Sequence, residues 1–299
     1  MRAIILTENS RSGMSPLTDR TPHALLPLAG KSILLHALEM LRRSGIRDID
    51  VVVPKAQNKL KSAADTDSLR GMRVRFVTEF PDLRDSPGLG LVIGLTDLFD
   101  VDWDELVDSL GVVRVHFLIP SMMRIGSTNV ALVTPPFFSE KLSSDWNEVG
   151  QIAAVPIQLS GHNSCHVPMN SFADYHNANF QVLRGEFDNL RPPGRKLASG
   201  YRVGRKSKLH DESLRSDSGY VGSHCHIDNS VCLSGDVVIG DKVVIASGTN
   251  VADSIVCDST YIGANLDCRN SIVNGNLLIR VDMGTCLELD DPVLLNSIA

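Results

Sequence analysis

The chain has 299 residues, which is enough for about two domains with buried cores. Its 43% hydrophobic and 21% charged residues are typical of a soluble globular protein. The formal net charge of -6 provides no basic surface for a phosphate backbone, so composition argues against a nucleic-acid partner.

Neither the start of the chain nor its least charged segment resembles a membrane-targeting element. The apolar run at residues 3–6 is too short for the core of a signal peptide. Residues 149–173 carry no Asp, Glu, Lys or Arg, but Pro156, Pro168 and several polar side chains make them a poor membrane span. We therefore expect a cytoplasmic protein with no membrane partner, in which the six cysteines are reduced thiols.

The first predicted elements are a strand at 3–6, a helix at 33–43 and a strand at 50–53. The helix has apolar residues at helical spacing and is followed by Gly45, a helix stop signal. This order predicts a parallel βαβ unit, and further strands are predicted at 72–77, 91–94 and 129–134. Ligands of such sheets bind at the carboxyl ends of the strands, so the loop at 7–27 is the predicted ligand site.

That loop reads Thr7-Glu-Asn-Ser-Arg-Ser-Gly-Met-Ser-Pro-Leu-Thr18, and the chain continues Pro22-His-Ala-Leu-Leu-Pro-Leu-Ala-Gly-Lys31. It resembles the opening of the sugar-1-phosphate nucleotidylyltransferases, whose pattern is L-A-A-G-x-G-T-R-L-x-P-L-T followed by P-K-x-L-x-P-V-x-G-K-P-I. The resemblance implies a Rossmann-like α/β domain that joins a nucleoside triphosphate to a sugar 1-phosphate. The retained positions are Pro16-Leu-Thr18, Pro22, Leu25, Pro27, Gly30, Lys31, His36 and Gly45-Ile46.

The resemblance also implies where substrates bind, and the departures fall on those positions. Asn9 and Arg11 stand where the family has glycines that let backbone N–H groups approach phosphates. Gly13 stands at the catalytic arginine, and His23 at the lysine that meets the sugar phosphate. Arg11 and His23 are therefore the candidate catalytic residues, with Arg11 able to supply a missing cation. The implied nucleotide or sugar-phosphate site comprises Thr7, Glu8, Asn9, Ser12, Gly13, Lys31 and Gly88.

The expected cofactor of an active family member is Mg²⁺, held by the aspartate of a Gly-Asp pair that follows the fourth strand. This chain has Gly94-Leu-Thr-Asp97 instead, which makes Asp97 the candidate metal ligand, because hard cations bind carboxylates. Asp102 with Glu105 is better explained as a capping box that opens a helix at 103–110.

A linker precedes the second predicted domain. Residues 174–194 resemble the segment before the β-helix in exopolysaccharide-associated members of this family. Tyr175 and His176 are predicted to pack a linking helix rather than bind substrate. Arg191, Arg195 and Lys196, beside proline and glycine, are predicted to form a solvated connector.

Every sixth residue from Val203 to Val251 is a branched aliphatic, except Arg215. The residues four places further on are small or β-branched and form a second predicted inward series. The phase slips by one residue after Val251 and resumes at Val256. The period predicts about four coils of eighteen residues, each with three short faces. The second series is Ser207, Ser213, Gly219, Cys225, Val231, Val237, Val243, Thr249 and Ile255.

This pattern resembles the hexapeptide-repeat proteins, and the resemblance implies a left-handed parallel β-helix. Some members are acyltransferases with a histidine base, for which His210, His224 and His226 are available. A zinc site built from His224, Cys225, His226 and Cys232 is a further alternative, although the spacing favours small side chains packed inside the coils.

The predicted fold is a shortened nucleotidylyltransferase-like α/β domain at 1–195, a β-helix at 196–283 and a tail at 284–299. The leading functional hypothesis is a nucleotidylyltransferase homologue of nucleotide-sugar or polysaccharide metabolism with impaired or lost catalysis, acting as a homo-oligomer or partner subunit through the β-helix. Association is expected because the aliphatic residues at 277–279 would form an end of the β-helix that must be covered. The rival is an active enzyme that uses Arg11, Lys31 and Asp97. A hexapeptide-repeat acyltransferase is a third alternative.

Overall fold

A computed structural model describes residues 2–8, 13–53, 60, 69–81, 90–95, 97–100, 122–125, 130–133, 155–157, 165–216 and 218–298. The chain divides into two compact units. The first unit contains residues 1–13, 21–26 and 32–170, and the second contains residues 14–20, 27–31 and 171–299. The structure groups the linking helix and the tail with the repeats. The boundaries at 195 and 283 stay predictions from the sequence.

The amino-terminal part of the chain forms three helices and eleven strands within the described residues. In chain order they are β1 (Arg2–Leu6), α1 (Leu17–Arg20), β2 (Pro27–Leu28), β3 (Lys31–Ser32), α2 (Ile33–Arg43), β4 (Asp48–Val52), β5 (Arg73–Val77), β6 (Gly90–Gly94), β7 (Asp97–Asp100), β8 (Met122–Ile125), β9 (Val130–Val133), β10 (Val155–Ile157), β11 (Cys165–Pro168) and α3 (Phe172–Arg184). A 3-10 turn lies at His23–Leu25.

The carboxy-terminal part is described as short strands. They are β12 (Arg195–Lys196), β13 (Arg202–Val203), β14 (Gly219–Val221), β15 (His226–Ile227), β16 (Cys232–Ile239), β17 (Val244–Ile245), β18 (Asn250–Val256), β19 (Thr260–Ile262), β20 (Asp267–Arg269), β21 (Ser271–Asn274), β22 (Leu277–Arg280), β23 (Thr285–Glu288) and β24 (Leu295–Ser297). A second 3-10 turn lies at Asp211–Ser213.

The first unit is built on a seven-stranded mixed sheet in the order β10-β8-β9-β6-β1-β4-β5. Strands β6, β1, β4 and β5 run parallel, and β9 is antiparallel to both β6 and β8. The predicted βαβ unit is confirmed as β1, α2 and β4, and the other predicted strands correspond to β5, β6 and β9. A mixed sheet of this kind is consistent with an α/β nucleotidyltransferase domain.

Helix α2 forms where the apolar spacing predicts it. Ser32 caps its amino terminus by accepting a hydrogen bond from the Leu35 N–H at 3.2 Å. The predicted apolar stripe is buried, including Leu34 and Leu38, which have no exposed surface. Gly45 follows the last turn with a φ of +76°, a conformation that glycine adopts without a Cβ penalty. The helix stop is therefore confirmed.

The second unit contains a stack of parallel strands that we call the repeat stack, comprising β13 to β21. Its strands pair in register at an offset of eighteen residues: Val203 with Val221, Val221 with Ile239, and Leu233 with Val251. A second sheet, β15-β17-β19-β24, begins with the same offset, pairing Ile227 with Ile245. Eighteen residues is three times the hexapeptide period, which explains why that period is so regular in the sequence.

Both predicted inward series are directed into one hydrophobic cluster. Residues of the first series, such as Leu233 and Ile245, and residues of the second, such as Val237 and Val243, have no exposed surface. Because each coil is too small to bury these side chains alone, the stacking of neighbours supplies the core.

The two irregularities in the period have structural counterparts. Arg215 is exposed, and the preceding Leu214 packs against the cluster instead and bridges to Leu233. The one-residue slip corresponds to a pairing offset of seventeen residues, in which Ile239 pairs with Val256 and Val251 with Cys268.

Antiparallel strands end the repeat stack. Strand β22 pairs with β21, β23 pairs with β22, and β24 pairs with β19, all antiparallel. The sequence argument for self-association treated the aliphatic residues at 277–279 as an end that another chain must cover. Leu277 and Ile279 have no exposed surface within this chain, so that premise does not hold.

Within the described part of the chain, no helix combines the length and apolar character that crossing a bilayer requires. The capping box at Asp102 and Glu105 and its predicted helix lie outside the described residues. The linking helix is confirmed as α3, in which Tyr175 is fully buried, as predicted.

Candidate functional site

The first two residues of the predicted loop, Thr7 and Glu8, lie at the carboxyl edge of the sheet in the first unit. Strand β1 lies between β4 and β6, so the strand order reverses beside it, and ligands of open α/β sheets bind at such a point. The loop begins directly after β1 with Thr7 and Glu8. Leu95, which follows β6, donates its backbone N–H to the Leu6 carbonyl at 3.1 Å and extends the sheet at this edge.

Thr7 has a structural contact at the end of the sheet. Its hydroxyl donates to the Val52 carbonyl at 2.8 Å, and the residue is only 9% exposed. Glu8, the next residue, is half-buried. The Thr7 hydroxyl therefore joins the ends of β1 and β4 rather than pointing into open space.

His23 and Gly13 both contact the segment that follows strand β11. His23 is 6% exposed, and its Nε2 lies 3.2 Å from the Met169 carbonyl oxygen. The Gly13 N–H donates to the Asn170 carbonyl at 2.8 Å. Strand β11 in turn pairs antiparallel with β7, with Pro168 opposite Asp97. Strand β11 and the two residues after it, Met169 and Asn170, therefore connect three predicted positions. These are Gly13, His23 and the backbone of Asp97.

Lys31 belongs to the second unit together with residues 27–30. The side chains around this segment come from α3 and the repeat stack. Tyr175 donates its hydroxyl to the Pro27 carbonyl, and Asn179 accepts the Ala29 N–H at 2.8 Å. Gly30 has a φ of +90°, and a Cβ there would lie 2.2 Å from the Tyr220 ring. Lys31 itself is half-buried.

The remaining candidates cannot be placed. Asn9, Arg11, Ser12 and Gly88 lie outside the described residues, as does the side chain of Asp97, whose backbone begins β7. The contacts of Met169, Asn170 and Asn179 had no signal in the sequence, because each joins positions about 150 residues apart.

The cysteine and histidine side chains of the alternative zinc and acyltransferase sites lie in the second unit. Cys225 is 2% exposed in the core, and burial raises the pKa of its thiol to about 11, which disfavours the thiolate that zinc requires. His210, His224 and His226 are exposed. Among the described residues, no group of three or more His, Cys, Asp or Glu side chains is arranged to hold a metal ion.

The fold and the loop together indicate the class of protein to which the chain is related. A mixed parallel sheet, with a loop of the nucleotidylyltransferase pattern after its first strand, is typical of α/β nucleotidyltransferases. No known protein-family model matches the chain.

Sequence comparison with characterised proteins gives the same class. The chain is 28% identical over 79 residues to the glucose-1-phosphate thymidylyltransferase of Streptomyces griseus, covering 26% of this chain and 22% of that protein. It is 39% identical over 59 residues to the bifunctional sugar-1-phosphate nucleotidylyltransferase/acetyltransferase of Sulfurisphaera tokodaii, covering 20% and 14%. It is 24% identical over 146 residues to the choline-phosphate cytidylyltransferase of Streptococcus pneumoniae, covering 49% and 57%.

These matches are distant, and they span less than two thirds of each relative's length. They support a relationship with sugar-phosphate nucleotidyltransferases at the level of the broad family.

Proposed function

We propose that this chain is a sugar-phosphate nucleotidyltransferase homologue whose catalysis is impaired or lost. The observation that carries the proposal is the burial of His23 against the Met169 carbonyl. The resemblance puts the lysine that meets sugar phosphate at this position. The imidazole at this position lacks the ammonium group of the family's lysine, and its Nε2 is turned toward the Met169 carbonyl.

Gly13 supports the same proposal. The resemblance puts the catalytic arginine at this position, yet a Cβ there would lie 3.0 Å from the Asn170 carbonyl oxygen. That distance is tighter than ordinary packing, so the Asn170 backbone would have to shift by a few tenths of an ångström to accept a side chain. Glycine fits here without that shift, and it cannot supply the charge that an arginine spreads on a transferring phosphoryl group.

The retained part of the signature has a packing explanation. The retained Pro27 accepts a hydrogen bond from Tyr175, and the retained Gly30 lies against the Tyr220 ring. These contacts give both residues a packing role whether or not nucleotide binds. The altered positions are the ones whose role in the family is chemical.

The repeat stack completes the proposal. Its in-register parallel strands at offsets of eighteen and seventeen residues support a hexapeptide-repeat left-handed β-helix, as the sequence resemblance implies. In this role the second unit associates chains, so that the protein acts as a homo-oligomer or a partner subunit in nucleotide-sugar or polysaccharide metabolism.

The test is a pyrophosphate-release assay with Mg²⁺, using each nucleoside triphosphate with a panel of sugar 1-phosphates. We expect no release above background, and weak or undetectable triphosphate binding by calorimetry. Replacing Asn9→Gly, Arg11→Gly, Gly13→Arg and His23→Lys together should raise triphosphate affinity. The same variant with Gly13 left unchanged tests whether crowding at Asn170 cancels the gain.

The rival proposal predicts a different result. An active enzyme would release pyrophosphate or bind a triphosphate with Mg²⁺ at micromolar concentration. Its activity would be abolished by Arg11→Ala or Asp97→Asn, the proposed cation and metal ligand. That outcome would contradict impaired catalysis and would leave the family relationship intact.

A further inference from the structure

The second unit contains a cleft of about 460 Å³ that the proposed function does not use. Its walls come from the end of α3, the connector at 185–200 and the first strands of the repeat stack, and every lining residue belongs to the second unit. This volume is within the range of clefts that hold small molecules.

The cleft is lined by four cationic side chains and one carboxylate, in a chain whose net charge is -6. Arg184 is neutralised, because it pairs with Asp236 and lies 3.8 Å from Glu186. Arg191, Lys196 and Arg202 form no ion pair with any residue that the structure describes. With Asp188 as the one carboxylate, these three cations leave the lining with an excess of two positive charges.

The hydrogen-bond donors of these side chains suit phosphate oxygens. Arg202 is anchored through a hydrogen bond from Nη1 to the Gly194 carbonyl at 3.3 Å, and its remaining donors are available. Two guanidinium groups offer planar forks that match phosphate oxygens, and the lysine adds a compact charge. At the wall, the Ser218 hydroxyl has no hydrogen-bond partner among the described residues, so rotation about its Cα–Cβ bond would let it donate to a bound oxygen.

We propose that this cleft binds a small molecule carrying a diphosphate or two neighbouring phosphate groups. Two or more negative charges on one ligand match the uncompensated charge of Arg191, Lys196 and Arg202. A single exposed cation would gain little in water, whereas three around one cleft focus the potential on its interior. The site is distinct from the loop after β1 and does not depend on whether that loop binds nucleotide.

The test uses the full chain and inorganic pyrophosphate as the probe, with calorimetry at low and at physiological salt. Arg191→Ala combined with Lys196→Ala should weaken binding at least about tenfold, since each removes a charge-assisted contact. Both side chains are exposed and outside any ion pair of the described residues, so the variant should keep its fold. Circular dichroism checks this.

The matched control removes the same charge elsewhere in the unit. Arg195 precedes Lys196 in the same strand, and Arg205 lies in the first coil. Both are exposed and neither lines the cleft. Arg195→Ala combined with Arg205→Ala should change the affinity by less than about twofold, apart from the weak long-range effect that salt screens.

Three outcomes would overturn the proposal. The first is no binding of pyrophosphate by the unaltered chain at millimolar concentration. The second is equal loss in the control variant, which would show general attraction to a basic surface. The third is binding of polygalacturonate but not pyrophosphate, which would assign the surface to an acidic polymer. The variant with Asn9→Gly, Arg11→Gly, Gly13→Arg and His23→Lys should still bind pyrophosphate in the cleft. This result would show that the cleft and the loop after β1 are separate sites.

Discussion

Asp50 is a fully buried carboxylate of the first unit that two arginines contact. It has no exposed surface, and it lies on β4 between the neighbouring strands β1 and β5. Arg2 donates to one of its oxygens, and Arg75 donates to the other from 2.7 Å. The same contact raises the pKa of the Arg75 guanidinium. Three adjacent parallel strands are thereby joined through one side chain.

Replacing Asp50→Ala should lower the free energy of unfolding by about 3 kcal/mol, because two cations lose their buried partner. Urea denaturation measures the change. Asp48→Ala is the control: Asp48 is half-exposed and pairs with Arg73 at 3.2 Å, so its loss should cost less than about 1 kcal/mol. Equal effects of the two substitutions would contradict the role given to Asp50.

His176 makes stability of the second unit dependent on pH. Its Nε2 lies 2.8 Å from the Asp253 carbonyl oxygen, and its ring packs edge-on against Phe180 at 4.3 Å. Burial lowers its pKa in the folded state. The unfolded chain therefore takes up the proton more readily, and stability decreases as the pH falls below the unfolded value of about 6.5.

We expect the free energy of unfolding to decrease between pH 7.5 and pH 5, and the decrease to be smaller in His176→Gln. Denaturation at each pH measures both. His210→Gln, at an exposed position in the same unit, is the control and should retain the slope of the unaltered protein. An unchanged slope in His176→Gln would show that this imidazole is not the titrating group.

At the scale of one element, the sequence period and the observed packing disagree at Leu214 and Arg215. The period places Arg215 inward, yet Leu214 contacts the core and Arg215 is exposed. Leu214→Ala should therefore cost about 1–2 kcal/mol, less than a fully buried leucine because Leu214 is only half-buried. Arg215→Ala should cost about 0.5 kcal/mol or less. Thermal unfolding compares the two variants, and a larger loss at Arg215 would contradict the observed packing.

At the scale of the whole molecule, the described residues present a group of exposed apolar side chains near the carboxyl end. Leu287 is 50% exposed on β23, the last strand of its sheet order, and Met283 and Val293 are 64% and 68% exposed. Edge strands with apolar side chains are templates for association. We expect chains to associate through the edge strand β23, rather than through residues 277–279.

Sedimentation velocity at micromolar concentration should therefore show a species larger than the monomer. Leu287→Lys should shift the population toward monomer, because it places charge on the edge strand. Thr285→Lys adds the same charge to an exposed polar position of that strand and should have a smaller effect. A strict monomer in the unaltered protein would rule out the association.

The sequence by itself determined the elements whose signals are local. The hexapeptide period predicted both inward series, because each coil repeats the same environment. The apolar spacing of α2 with Gly45 predicted that helix, because side chains three and four apart share one face. The signature loop predicted the class of protein and the edge of the sheet where its site would lie.

Tertiary structure decided what those elements do. The burial of His23 against Met169, the crowding of Gly13 by Asn170 and the anchoring of Ala29 by Asn179 all join residues about 150 positions apart. The lining of the cationic cleft likewise combines Arg202 of β13 with Arg191 and Lys196, which the sequence presented only as part of a solvated connector. Local periodicity carries no information on such contacts, because they depend on how distant segments are brought together when the core is buried.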